Sequence, residues 1–186
     1  MSEMDKPRIS EAEMEKKYVA REAASHGSSL AFLDQCLPQY GREIINMIGL
    51  GVTENAADPS LKPKISLGAH GFAVTYNRCE KGGGAALHAH LTEEVFIPVR
   101  GQWEVYWLEG EARRSVTIGP GDVIHLPTKI YRGFKLLSSE PDSLLIGLVG
   151  GPDPGHVDWH PDVLKETRAA GYELDAKGNL RQIAKV

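Results

Sequence analysis

Between residues 71 and 150 apolar and polar positions recur in short runs, separated by glycine, proline and acidic turn residues. The runs fall at 72–79, 86–90, 93–99, 102–108, 113–118, 122–126, 131–137 and 142–149. Several alternate with a period of two, as in Trp103-Glu104-Val105-Tyr106-Trp107 and Ser115-Val116-Thr117-Ile118. That period belongs to strands buried on one face only. A succession of such strands with no helix between them excludes alternating strand–helix topology. It predicts an all-β sandwich or jelly-roll barrel.

The flanks read differently. Residues 9–24 predict a helix, with Ser10 and Glu13 spaced as a capping box. A second short helix is expected at 29–36, stopped by Leu37-Pro38. The stretch 41–70 is apolar from Ile44 to Leu50 and reads as a strand or arm covering part of the main body. After Gly150-Gly151-Pro152 the chain leaves the barrel, and Pro161 opens a capped helix that ends before Gly171. The expected organisation is an N-terminal helical segment and arm over 1–70, a β-barrel over 71–150, and a C-terminal helix and tail over 151–186.

Composition narrows the partners. With 21 Lys+Arg against 25 Asp+Glu the formal charge is −4, which lacks the basic footprint that nucleic-acid phosphates require. No apolar run reaches the roughly 20 residues of a membrane span, and Met1 to Lys6 carry no apolar signal core, so a cytoplasmic protein is expected. Cys36 and Cys79 are the only cysteines, too few for a disulfide scaffold or a zinc ribbon. Function must therefore come from a local site.

That site is legible in Gly82 to Glu94 and on to Gly101. Residues i and i+2 of a strand project from one face, so His88 and His90 aim both imidazoles at one point. Glu94 opens the next strand, and antiparallel pairing would return its carboxylate to the same place. Two neutral imidazoles and one carboxylate suit a divalent first-row transition metal with coordination positions left open. The segment resembles the first sequence motif of the cupin superfamily, with Gly82, His88, His90, Glu94 and Gly101 at the fixed positions. The resemblance implies a cupin-type jelly-roll β-barrel holding a metal on those three side chains.

The second cupin motif is degraded. Gly121 and Pro127 match, but Lys129 stands at the later glycine position, Arg132 at the fourth ligand position and Leu136 at the asparagine position. A guanidinium stays protonated and cannot ligate a metal. His125 is one replacement, as ligand or proton carrier, if it faces inward; otherwise His88, His90 and Glu94 act alone. Arg132 also has two readings: an inward charge that anchors a carboxylate or enolate oxygen, or an outward residue on a solvated strand. Phe96, Trp103, Tyr106, Trp107, Tyr131 and Phe134 offer candidate walls for an apolar pocket.

The expected function is a metal-dependent cupin enzyme, first of all a dioxygenase-type oxidoreductase chelating an enolate or vicinal dioxygen substrate. Fe(II) is the first choice of metal, with Mn(II), Ni(II) and Zn(II) open. The alternatives are a non-redox isomerase, lyase or decarboxylase, or a small-molecule-binding cupin without turnover. A homodimer is expected, because open sheet edges need covering and the 44–50 arm would reach a neighbour.

Overall fold

The computed structural model describes residues 8–49, 54–66, 71–139, 141–151 and 156–184. Leu50 and His70 lie outside them. In chain order the elements are α1 (Glu11–Tyr18), β1 (Glu43–Ile48), β2 (Phe72–Arg78), β3 (Gly84–Ala89), β4 (Glu94–Arg100) and β5 (Trp103–Glu109). There follow β6 (Ala112–Ile118), β7 (Ile124–Leu126), β8 (Arg132–Leu136), β9 (Leu144–Gly150), β10 (Asp158–Trp159), α2 (Pro161–Ala169), β11 (Tyr172–Leu174) and β12 (Leu180–Gln182).

Two antiparallel five-stranded sheets face each other, in the orders β1-β2-β9-β4-β7 and β10-β3-β8-β5-β6. This is the all-β jelly roll that the alternating runs predict. Each of the eight expected barrel strands is present within two residues of its expected ends. Phe96, Trp103, Val105, Phe134, Leu136 and Leu145 fill the space between the sheets. Phe134 stands edge-on to both Phe96 (5.2 Å between ring centroids) and Trp103 (5.8 Å), the arrangement aromatic quadrupoles favour.

The segments before and after the barrel runs also enter the sheets. β1 pairs with β2, and its outer edge is bridged by Ser28 and Ile65. The segment 44–48 thus forms an edge strand of its own chain's sheet. β10 pairs with β3, placing Trp159 opposite His88.

The N-terminal helix is shorter than the 9–24 expected. Ser10 caps it, accepting from the Glu13 amide, but Val19 is already extended. None of its side chains is buried, so no packing carries it beyond two turns. Residues 29–36 form a 3₁₀ turn over Leu33–Cys36 instead of an α-helix. Gln35 Oε1 accepts from the amides of Ala31 and Phe32 at 2.8 Å, replacing helical bonds, and Leu37-Pro38 ends the turn. Pro161 does open α2, behind an N-cap at His160. No helix among the described residues is long and apolar enough to cross a membrane.

Candidate metal centre

His88 and His90 come from β3 and the residue after it, and Glu94 from the start of β4. A β-bulge brings them to the interior. Ala85 pairs with Phe134 and His88 with Arg132, so β3 spends three residues where β8 spends two. An extra residue reverses side-chain parity. Ala85 and both histidines therefore line the same cavity, which strict alternation from Ala85 would forbid.

One ligand atom from each of His88, His90 and Glu94 lies within 4.8 Å of the others. His88 Nδ1 stands 2.8 Å from the Ala86 carbonyl. A carbonyl only accepts, so Nδ1 carries the hydrogen and Nε2 keeps its lone pair, 4.0 Å from Glu94 Oε2. Burial pushes the His88 imidazole well below its ordinary value, and the positive charge of Arg132 pushes the same way. Burial lowers His90 too, opposed by Glu94 and helped by Arg132. Both rings are thus neutral at neutral pH, the form that ligates. His90 Nδ1 is buried with no hydrogen-bond partner. Neutral imidazoles, a carboxylate and an orphaned ring nitrogen fit a divalent transition metal.

Arg132 points inward and is fully buried. Its Nε and Nη2 donate to Glu94 Oε2 at 3.0 and 2.9 Å, and Nη1 lies 3.4 Å from the Ile130 carbonyl. It is absent from the cavity lining among the described residues. The expected anchor for a substrate anion is therefore corrected: this guanidinium sits behind Glu94 and holds it.

His125 is corrected as well. Val95 pairs with His125, and Glu94 with Leu126. That register sends Leu126 inward with Glu94, and it is buried. His125 is sent outward with Glu93, its side chain 54% exposed and Nε2 3.7 Å from Glu93 Oε1. It neither ligates nor reaches the cavity. Lys129, at the degraded glycine position, keeps the left-handed backbone (φ 64°), and its amide donates to the His90 carbonyl. Gly82 and Gly101 have φ of 89° and 91°, a region side chains rarely adopt.

The cavity beside the triad has a volume of about 60 Å³. Phe32, Phe96, Phe134 and Trp159 form much of its wall. Of the six aromatic residues expected there, only Phe96 and Phe134 take part. Trp103 is core, and the Tyr106 hydroxyl donates to the Ala85 carbonyl. Phe32 and Trp159 were not foreseen, nor was Arg42. Trp159 packs 5.6 Å from His88 between ring centroids, while its Nε1 donates to Glu54 Oε1 at 2.7 Å. Arg42 pairs with Asp34 through Nη1 at 2.9 Å and Nη2 at 3.1 Å.

No sequence-family model matches the chain, and no curated protein does either. Solved structures do. An oxalate oxidase in complex with the substrate analogue glycolate is similar over 78% of this chain and 65% of its own, at 13% identity and a TM-score of 0.52. The fold is that of the cupins. A cupin 2 domain-containing protein from Halorhodospira halophila is similar over 68% of this chain and 76% of its own, at 17% identity and a TM-score of 0.47. For oxalate decarboxylase from Bacillus subtilis the match is 18% identity with a TM-score of 0.40. It spans 45% of this chain and only 22% of that one. Inside this cupin-type fold, then, a possible His-His-Glu metal site is backed by the buried Arg132.

Proposed function

We propose that this cupin is a metal-dependent enzyme acting on a small organic molecule that chelates through oxygen, by dioxygenase chemistry. The observation that carries the reading is the convergence of His88, His90 and Glu94 within 4.8 Å, beside a partly aromatic cavity. A bound Fe(II), or Mn(II), Ni(II) or Zn(II), would supply a Lewis-acidic centre that a substrate's oxygen pair and dioxygen can share. His88 presents Nε2 because Ala86 fixes its tautomer, and Arg132 fixes the rotamer of Glu94. Phe32, Phe96, Phe134 and Trp159 keep bulk water out.

One feature favours the oxidative version, and a second bears on substrate size. Non-redox isomerisation or elimination needs a positioned proton carrier. Among the described cavity-lining residues the only titratable ones are the three ligands and Arg42; neither His125 nor a tyrosine is there. Size also selects. About 60 Å³ is less than half of the roughly 150 Å³ cavity known to take benzene, so small aliphatic enolates fit this form better than aromatic diols.

The test is metal content by mass spectrometry on protein purified without a histidine tag, followed by O2 consumption with two- and three-carbon 2-hydroxy acids and enolisable dicarbonyls. Stoichiometric iron with substrate-dependent O2 uptake supports the oxygenase. Tight metal without turnover would point to the binding module, and metal-free folded protein that takes up none would sink both. The homodimer rests on the sheet edges that β6 and β7 leave open; light scattering decides it.

A further inference from the structure

We infer that Arg132 makes metal binding conditional on a small organic anion, so that cation and anion enter the cavity as a pair. The inference rests on the metal reading above and adds the charge of the substrate.

His88 and His90 are neutral ligands, and Glu94 contributes one negative charge. Arg132, fully buried, returns one positive charge through two hydrogen bonds to Glu94 Oε2. The triad with its arginine is thus neutral before any metal arrives. The other charged side chain at the cavity, Arg42, is matched by Asp34 and cancels likewise. A divalent cation would bring two uncompensated positive charges into a largely apolar space. Burying charge without a counter-charge is costly, so the cation binds well only when an anion comes with it.

A second, independent observation points to the same ligand chemistry. Arg42 lines the cavity and is 8% exposed, yet its Nε–H has no acceptor. Its two Nη groups are held by Asp34 and by the carbonyls of Gly84 and Tyr40. Buried donors are normally satisfied. An oxygen-rich anion in the cavity supplies both the missing acceptor and the missing charge. The ligand class is a small carboxylate or enolate with a neighbouring oxygen, of few enough atoms to fit the cavity.

The test measures Mn(II) affinity of the whole metal-stripped chain, reading free Mn(II) by electron paramagnetic resonance. Three conditions are compared: no addition, glycolate, and glycolamide, which keeps the oxygens of a chelator but carries no charge. Protein-free blanks correct for Mn(II) held by the additives. Glycolate is expected to tighten Mn(II) binding about tenfold, within the usual range of coupling between two ligands. Glycolamide is expected to change it less than about twofold. By reciprocity Mn(II) tightens glycolate binding by the same factor. In Arg132→Met the full charge of Glu94 is freed, so Mn(II) binds tightly without glycolate and the glycolate effect falls below about threefold.

Equal promotion by glycolate and glycolamide would overturn the inference, as would Mn(II) binding indifferent to both. Folded wild-type chain that binds no Mn(II) under any condition would overturn the metal reading itself. Should Arg132→Met fail to fold, the wild-type contrast between glycolate and glycolamide still decides.

Discussion

Two arginine–carboxylate pairs are buried among the described residues, and they are built differently. In Arg42–Asp34 both carboxylate oxygens are engaged. Oδ1 accepts from Arg42 Nη2, and Oδ2 accepts from Arg42 Nη1 and from the Ala86 amide. Arg42 Nη1 also reaches the Gly84 carbonyl at 2.7 Å. This pair therefore grips the bulge of β3 on both sides of Ala85. In Arg132–Glu94 both donors converge on Oε2, and no described residue donates to Oε1. The first pair uses its acceptors to shape backbone; in the second, Oε2 is shared between Arg132 and the approach of His88 Nε2 at 4.0 Å. Each pair also leaves one atom unused: Arg42 Nε has no acceptor and Glu94 Oε1 no donor among the described residues, and such unused atoms mark where a ligand is expected.

The largest effect should come from breaking the fastener. Asp34→Ala leaves Arg42 buried without a counter-charge, which costs about 3–5 kcal/mol. Urea unfolding checks it, and a loss below about 1 kcal/mol would mean that the bulge needs no brace.

Glu54, another buried carboxylate among the described residues, accepts from Trp159 and the Leu33 amide and from no arginine. Burial pushes it up to about 7 from an ordinary 4.5, against hydrogen bonds from Trp159 and the Leu33 amide that pull it down. A raised carboxylate pKa means that the folded chain holds this proton more tightly than the unfolded one. Its contribution is greatest below about pH 4.5 and is lost as pH rises through 7. A shift of this size corresponds to about 3 kcal/mol. Wild type should lose that much more stability than Glu54→Gln between pH 4.5 and 8, measured by urea unfolding at each pH. Parallel profiles would place the proton elsewhere.

Smaller effects test the degraded second motif. Lys129 holds a left-handed backbone at φ 64°, which is strained for a residue with a side chain. Lys129→Gly should raise the melting temperature slightly, by the equivalent of about 1 kcal/mol at most, set against the greater freedom of glycine in the unfolded chain. His125→Ala should change almost nothing: stability within about 0.5 kcal/mol, and Mn(II) affinity within error. A large loss of metal affinity there would reverse the inside–outside assignment of β7.

Much of this was legible in the chain. The strand runs announce themselves by alternation, and His88, His90 and Glu94 by spacing, although Glu94 meets the histidines from the opposite sheet and not by the expected pairing of its strand with β3. Parity was not. In Val123-Ile124-His125-Leu126 both faces are apolar enough to be inward, and only the pairing of Glu94 with Leu126 decides. The bulge between Ala85 and His88 leaves no mark in residue type. Arg132 could face either way until the structure placed it against Glu94. Phe32, Arg42 and Trp159 reach the cavity from segments outside the barrel runs, through contacts no short pattern encodes. What is read from neighbours in sequence survived, and what depends on register did not.

The most direct measurement is anomalous diffraction from crystals soaked in Mn(II) and glycolate. The account predicts one strong peak at coordination distance from His88 Nε2, a ring nitrogen of His90 and a Glu94 carboxylate oxygen. Density-free space there, with manganese only at surface carboxylates, would contradict it.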